Sequence, residues 1–158
     1  MPSDSPVSVL DTFFDALNAH APDRAARQLA SAYRGIDATR SAVTVGRENA
    51  RAEIETGLAA FSPTFTVQQC LADSPRVALF WQMEAVHEGP FLQIPPTNKS
   101  VSVTGTGLFT VHNGHITRGI HLWDLAGLLR SVDLLPDLPE NGEVPDETAS
   151  PDSILEGE

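Results

Sequence analysis

The sequence predicts a single α+β domain in which helices come first and an antiparallel sheet follows. Three observations support this prediction. Apolar residues recur at helical spacing in the N-terminal third of the chain, and the period changes to two after Pro63. Turn sequences, among them Asp73-Ser74-Pro75 and Asn113-Gly114, separate the alternating segments that follow. Helices and strands segregated in this way are typical of an α+β fold rather than of a parallel α/β sheet.

Three helices are predicted before the sheet, over residues 7–19, 22–30 and 47–60. The apolar stripe of the first helix consists of Val9, Leu10, Phe13, Phe14 and Leu17. Pro22 stops this helix and Pro63 ends the third, because proline lacks the N–H that a helix needs. Between the second and third helices the residues follow neither a helical nor a strand period clearly, although Val43 and Val45 fit a short strand.

Four strands are predicted after Pro63, over residues 64–71, 76–87, 100–111 and 115–123. One face of the second of these strands carries Val77, Leu79, Trp81, Met83, Ala85 and His87. A terminal helix is expected from Asp124 to Leu134, and Pro136 closes it.

The net charge of −11 is concentrated at the C-terminal end. Residues 137–158 contain eight acidic residues and neither Lys nor Arg, so the net charge of the rest of the chain is about −3. We therefore expect a folded domain over residues 1–136 and a disordered acidic tail over 137–158. Since no basic footprint is present, we expect no nucleic-acid partner. We expect no membrane partner either, because no apolar run approaches the roughly 18 residues that cross a bilayer.

The single cysteine, Cys70, cannot form an intrachain disulfide, and its alternating segment suggests a small buried hydrophobe. The N-terminus has no basic residue before an apolar run, which argues against a secretory signal. Both features favour a cytoplasmic location.

Three sets of residues are candidates for chemistry. His87 ends an apolar strand face, where an imidazole either exchanges a proton with a ligand or is a hydrogen-bonded core residue. Asp124 follows the last strand, so its carboxylate either points into apolar space or caps the final helix. The apolar residues that share the strand parity of Asp124 are Ile116, Ile120 and Leu122. His121 and Trp123 lie on the opposite face unless a bulge changes the alternation.

Two glycines interrupt an inward strand face. Gly105 and Gly107 stand where apolar side chains are expected, which indicates a bend in the sheet or space for a ligand. A curved antiparallel sheet of four to six strands, wrapped around the N-terminal helices, would form a cone with one apolar pocket. The histidines and the single cysteine show no metal-ligand spacing, so we expect no metal site.

Two segments resemble a known family. Residues 87–99 resemble the His-x-Gly-x-Phe-x-x-Ile-Pro-Pro-Thr-x-Lys loop of SnoaL-like polyketide cyclases. His121-Leu122-Trp123-Asp124, followed by Gly127-Leu128-Leu129, is similar to that family's strand-to-helix ending. Shorter matches at 46–48 and 76–79 extend the resemblance over about residues 7–135. The departures from the family pattern are Gln93, Asn98 and Ile120.

The resemblance implies a nuclear-transport-factor-like α+β cone, often a homodimer through its sheet. It also implies an aldol-type ring closure on a polyketide-like apolar substrate, without a metal or an organic cofactor. Asp124 would then be the general acid/base and His87 a proton-sharing partner. The expected substrate-binding residues are Phe14, Trp81, Met83, Phe91, Ile94, Phe109, His121 and Trp123.

Two alternatives stay open. An epoxide hydrolase or a hydroxylase would use a similar pocket, and it would place a second charged group, such as Arg118 or Asp37, near Asp124. A non-catalytic ligand-binding or interaction module would use Asp124 only as a helix cap, and a collapsed or filled cone would favour this alternative.

Overall fold

A computed structural model describes residues 5–138 and contains four helices and six strands in these residues. In chain order they are α1 (Pro6–Asn18), α2 (Pro22–Arg27), β1 (Leu29–Asp37), β2 (Ala42–Val45), α3 (Arg47–Phe61), β3 (Thr64–Asp73), β4 (Arg76–Val86), β5 (Ser100–His112), β6 (His115–Trp123) and α4 (Leu125–Ser131). The expected disordered tail lies outside the described residues from position 139 onward.

Local signals explain where the helices begin and end. The Ser5 hydroxyl caps α1 by accepting a hydrogen bond from the Ser8 backbone N–H at 3.2 Å, and Pro6 occupies the first turn. Helix α3 ends at Phe61, and its C-cap residue Ser62 adopts a left-handed conformation with φ 42°. The α+β fold is confirmed, and α1 and α3 lie within two residues of their predicted bounds.

The six strands form one sheet in the order β2-β1-β6-β5-β4-β3. All neighbours are antiparallel except β1 and β6, which are parallel, so the sheet is mixed rather than purely antiparallel. Helix α2 ends at Arg27, so Leu29 and Ala30, which were predicted in the second helix, are the first residues of β1 instead. Its Ala, Ser and Gly residues have low strand propensity, so tertiary pairing with β2 and β6 determines this strand.

A bulge in β6 changes which residues face the core. Ile116 pairs with Val111 and Arg118 pairs with Thr110, so Thr117 is an extra residue in β6. Downstream of the bulge Gly119, His121 and Trp123 face inward, and the predicted inward residues Ile120 and Leu122 face outward; Leu122 is 56% exposed. The predicted parity of this strand was therefore wrong beyond Thr117.

The inner face of the sheet packs against the helices in two clusters. The first cluster joins α1 to β1, β4, β5 and β6 and contains Leu10, Phe13, Phe14, Leu29, Val77, Phe109 and Ile116 among others. The second cluster joins α3 and α4 to β4 and β5 and contains Phe61, Met83, Val101, Val103 and Leu128 among others. Phe65 and Trp81 pack against both clusters, and a cavity lies between them.

The outer strand β3 is a sheet edge and is largely exposed. Cys70 lies on it and is exposed, which corrects the expectation of a buried hydrophobe. No helix in residues 5–138 is long and apolar enough to cross a membrane.

Candidate functional site

The inner cavity has a volume of about 310 Å³ and mostly apolar walls. Its aromatic lining consists of Phe13, Phe14, Tyr33, Phe61, Phe65, Trp81, Phe91, Phe109 and Trp123. The exposed lining residues are Arg40, in the turn between β1 and β2, and Glu53, on α3. The mouth of the cavity therefore lies between α3 and this turn.

Glycines in the sheet make room for the aromatic walls. A Cβ on Gly105 would stand 2.3 Å from the indole of Trp81, and one on Gly107 would stand 2.6 Å from the ring of Phe109. Both distances are well below van der Waals contact, so only glycine lets these rings lie across the sheet. The space expected at Gly105 and Gly107 is thus filled by neighbouring rings, and the cavity lies beyond those rings.

Two further glycines bring Tyr33 and His121 together. Gly35 of β1 pairs with Gly119 of β6. A Cβ on Gly119 would stand 2.8 Å from the Tyr33 hydroxyl and 3.0 Å from His121 Nε2. Because both atoms lie this close to the same Cβ position, the Tyr33 hydroxyl and His121 Nε2 are within about 6 Å of each other. A polar pair therefore occupies the floor of an apolar cavity.

Both members of this pair are uncharged near neutral pH. Burial and, to a smaller extent, the negative charge of Glu53 together raise the pKa of Tyr33 to about 12. Burial lowers the pKa of His121, although the charges of Asp37 and Glu53 oppose this effect. Within residues 5–138 neither side chain has a hydrogen-bond partner that shifts its pKa. The phenol and the imidazole are therefore available to a ligand.

Asp37 forms a hydrogen-bonded network beside this pair. Its carboxylate accepts hydrogen bonds from the Trp123 indole N–H at 3.0 Å and from Arg40 Nε at 2.7 Å. The backbone N–H groups of Thr39 and Arg40 donate to its Oδ1 at 3.1 and 3.2 Å. Burial opposes ionisation, but the hydrogen bonds from Arg40 and Trp123 outweigh it and hold the Asp37 pKa below its usual value. An ionised, fully engaged carboxylate of this kind holds its neighbours in place.

Asp124 does not line the cavity, which corrects the placement of its carboxylate in apolar space and leaves the helix cap. Its Oδ1 accepts a hydrogen bond from the Gly127 backbone N–H at 2.9 Å, and the residue is the exposed N-cap of α4. The bulge at Thr117 is the physical reason, since it turns Asp124 to the outer side of β6. The capping alternative describes its position.

His87 is buried, 1% exposed, but it does not line the cavity. Its Nδ1 accepts a hydrogen bond from the Thr97 backbone N–H at 3.3 Å and lies 3.0 Å from the Thr97 hydroxyl. Its ring stacks on Phe61 at a centroid distance of 5.3 Å. His87 therefore holds the 87–99 loop against α3, which corrects its proton-exchanging placement beside the ligand and agrees with the alternative of a hydrogen-bonded core residue.

Seven of the eight predicted substrate-binding residues line the cavity, namely Phe14, Trp81, Met83, Phe91, Phe109, His121 and Trp123. Ile94 does not; its backbone pairs with that of Phe91 in both directions, at 3.1 and 2.8 Å. Ile94 thereby places Phe91 at the cavity wall.

Tyr33, Arg40 and Glu53 were not assigned to the site from the sequence, and Asp37 was named only as a second charged group for the hydrolase or hydroxylase alternative. The available signal was the period-two series Tyr33, Gly35 and Asp37, which indicates one face of a strand. In the described part of the chain, no three His, Cys, Asp or Glu side chains are close enough together to hold a metal ion.

Comparisons with known proteins agree with this architecture. A candidate SnoaL-like polyketide cyclase from Jannaschia sp. CCS1 superposes with a TM-score of 0.76 at 20% identity, covering 86% of this chain and 97% of that one. AclR, a candidate hydroxylase from Streptomyces galilaeus, superposes with a TM-score of 0.76 at 20% identity, and the match covers 85% of each chain. A Catenulispora acidiphila protein with a ketosteroid isomerase-like fold superposes with a TM-score of 0.70 at 15% identity, and the match covers 84% of this chain and 100% of that one.

These structural similarities establish the α+β fold. A search of curated protein sequences gives no match. The family model described as SnoaL-like polyketide cyclase matches residues 8–132. The chain therefore belongs to the SnoaL-like polyketide cyclase family.

Proposed function

We propose that this protein is an acid/base enzyme of the cyclase or isomerase type, which closes a ring in a polyketide-like apolar substrate. The observation that supports this proposal is the convergence of Tyr33 and His121 at the floor of an aromatic cavity. Apolar walls with a few convergent polar groups are typical of a small-molecule site.

His121 is the proposed general base. Its imidazole is neutral at pH 7, because burial lowers its pKa, so its nitrogen can accept a proton from carbon. When it becomes charged, the carboxylates of Asp37 and Glu53 stabilise the imidazolium. This pair of effects suits a group that takes up a proton and then returns it.

Tyr33 is the proposed hydrogen-bond donor. Because its pKa is about 12, the phenol keeps its proton and can donate to an oxygen that gains negative charge. Such donors contribute most in sites that exclude water, since they need no reorganisation during the reaction. Tyr33 is 6% exposed, which meets this condition.

The proposed reaction conserves all atoms. His121 removes a proton from a carbon beside a carbonyl group, and the resulting enolate oxygen accepts a hydrogen bond from Tyr33. The enolate carbon attacks a second carbonyl carbon of the same molecule and forms the ring. The new alkoxide then takes the proton back from His121, so that substrate and product are isomers. Proton transfer of this kind contributes about 10²–10⁴ in rate.

Asp37 is the proposed positioning residue. Its carboxylate accepts a hydrogen bond from the Trp123 indole, which lines the cavity. In the strand register Asp37 of β1 is the partner of His121 of β6. It acts on the imidazole through its charge, while its own low pKa makes it a weak base.

A metabolite comparison in the source organism tests the proposal. The gene is deleted and complemented with wild type, His121→Phe or Tyr33→Phe, and the accumulating compound is identified by mass spectrometry. We expect an open isomer that only wild type converts at full rate. Full rescue by His121→Phe would refute the proposed base.

Asp124→Asn is the matched control for the rival assignment. Asparagine caps helices about as well as aspartate, so the fold is kept while the carboxylate is lost. We expect Asp124→Asn to restore the product fully. Loss of the product with a folded protein would return the acid/base role to Asp124.

The same comparison separates the alternatives. A precursor that lacks one oxygen indicates hydroxylation, and a precursor that lacks one water indicates hydrolysis. No metabolite change would favour a non-catalytic module, in which Asp124 is only a helix cap and the cavity of about 310 Å³ binds a ligand without converting it.

We also propose that the protein is a homodimer through the outer face of its sheet. Leu71, Ala78, Leu108 and Ile120 are paired side by side across four strands. Leu71 is 74% exposed and Leu108 is 41% exposed, and contiguous apolar surface of this kind marks an interaction site. Light scattering should show a dimer that Leu108→Glu dissociates. Leu92→Glu is the control, because Leu92 is 44% exposed and lies in the 87–99 loop.

A cytoplasmic role in secondary metabolism completes the proposal. It is supported by the single exposed thiol of Cys70, which persists in a reducing compartment, and by the family. Fractionation of the source organism with an antibody against the protein would test the location.

A further inference from the structure

Gly57 has no structural reason to be glycine. It lies inside α3, where glycine is a weaker helix former than alanine, and its φ is not positive. A Cβ at Gly57 would meet no heavy atom within 4 Å. Among the described glycines, only Gly114 shares this open space, and its φ of 73° accounts for glycine there.

Gly57 nevertheless lines the cavity. It follows Glu53 by four residues on α3, so the two positions share one helix face. Glu53 and Arg40 are the exposed lining residues, which places Gly57 on the α3 side of the mouth. The glycine thus keeps open a space between the enclosed part of the cavity and solvent.

The size of the cavity indicates what this space is for. Its volume of about 310 Å³ is near the lower end of the range of about 300–1,000 Å³ that is typical of ligand pockets. A polycyclic or chain-bearing ligand that exceeds this volume would extend through the mouth.

We propose that Gly57 is a specificity-determining residue, and that the bound ligand is longer than the cavity and leaves it across Gly57. This inference rests on the proposed function only in requiring that the cavity takes an apolar small molecule. The ligand class is an elongated molecule with an apolar body inside and an uncharged end at the mouth.

The charges at the mouth define that outer end. Within residues 5–138 the Glu53 carboxylate accepts a hydrogen bond from the Thr44 hydroxyl at 2.7 Å and forms no ion pair. The guanidinium of Arg40 is already paired with Asp37. An anionic end beside Gly57 would therefore meet the uncompensated charge of Glu53 one helical turn away.

Two neutral probes test the proposal, acetylnaphthalene and its long-chain homologue decanoylnaphthalene. Both tryptophans of the chain, Trp81 and Trp123, line the cavity, so quenching of their fluorescence reports binding directly. Gly57→Leu places a side chain in the open space. Ala52→Leu, on the exposed side of the same helix, adds the same bulk outside the cavity.

We expect Gly57→Leu to weaken decanoylnaphthalene binding at least tenfold and acetylnaphthalene binding less than twofold, and Ala52→Leu to change neither. Equal weakening of both probes would place Gly57 inside the enclosed part and overturn the inference. Unchanged binding of both probes to Gly57→Leu would overturn it as well. If the wild-type protein binds neither probe, the proposed apolar-ligand function is refuted together with the inference.

The charge component has its own test. A decanoylnaphthalene with a carboxylate at the chain end should bind at least threefold more weakly than the neutral probe, and Glu53→Gln should remove the difference. Equal binding of the two probes to wild type would overturn the assignment of an uncharged end.

Discussion

Substitution of Gly105 by alanine tests how the sheet accommodates its aromatic wall. Gly105 lies in β5 and pairs with Trp81 of β4 on one side and Trp123 of β6 on the other. An added Cβ would stand 2.3 Å from Trp81 Cζ2 and 2.7 Å from two further indole atoms. The indole therefore has to move off the sheet, because a rigid ring cannot yield more than an ångström in place.

The expected cost follows from two opposing effects. Overpacking of a well-packed core typically costs about 1–3 kcal/mol. Alanine reduces the entropy of the unfolded chain, which returns roughly 0.4–1 kcal/mol. The clash exceeds the entropy gain, so we expect a net loss of about 1–2 kcal/mol in the free energy of unfolding. For a domain of this size, that lowers Tm by about 2–8 °C.

Urea denaturation followed by tryptophan fluorescence measures the effect, with Gly57→Ala as the matched control. Gly57→Ala adds the same methyl group in open space and should stabilise the protein by about 0.5–1 kcal/mol. Trp81→Phe provides a smaller ring, so the double variant with Gly105→Ala should show a favourable coupling energy of at least about 0.5 kcal/mol. If Gly105→Ala is as stable as wild type, the glycine does not serve to admit the indole.

Three further predictions follow from the site and its surroundings. Tyr33 is the only tyrosine in the chain, so ultraviolet titration reports it alone; its phenolate should appear near pH 12 in the folded protein and near about 10 in urea. Because the folded-state pKa is the higher one, stability should fall as the pH rises above about 10, and Tyr33→Phe should lack this loss; a folded-state titration near 10 would refute burial of the phenol. Asp124→Ala should cost about 0.5–2 kcal/mol in urea denaturation while Asp124→Asn costs much less, and equal losses would contradict the cap. Asp37 has a lowered pKa, so its contribution to stability is present above the unfolded value of about 3.9 and is lost as the pH falls below it; Asp37→Asn should flatten the acid limb of the stability curve, and an unchanged limb would assign the effect to other groups.

The order of helices and strands could be predicted because each segment carries its own periodicity and its own stop signal. The long strands β4 and β5 alternate without interruption, and their buried residues are those that alternation predicts. Strand β1 could not be found in this way. Its Ala, Ser and Gly residues have low strand propensity and weaken the alternation of Tyr33, Gly35 and Asp37, and Gly35 is needed where the Tyr33 ring lies across the sheet.

The placement of Asp124 illustrates a different limit. Alternation along β6 assigned it to the face of Ile120, and Ile120 was assumed to face inward. One extra residue at Thr117 reverses both assignments, and nothing in the Ile116-Thr117-Arg118 segment marks it as a bulge. His121 and Trp123 were candidates for the ligand site only on the condition of such a bulge, and both line the cavity.

The bulge also explains how a neutral histidine comes to face Tyr33. Without it, His121 would pair with Thr106 and its side chain would lie on the outer surface, where burial would not lower its pKa. With it, the imidazole packs edge-on against Phe109 at a centroid distance of 5.2 Å, above the two glycines that leave room for the phenol. The position of the proposed base therefore depends on a backbone irregularity in β6 and on Gly35 and Gly119. Substitution of either glycine by alanine should move the Tyr33 hydroxyl away from Nε2, because its Cβ would stand within 3 Å of that hydroxyl. A loss of activity in Gly119→Ala that exceeds its loss of stability would then separate the geometry of the pair from the integrity of the fold.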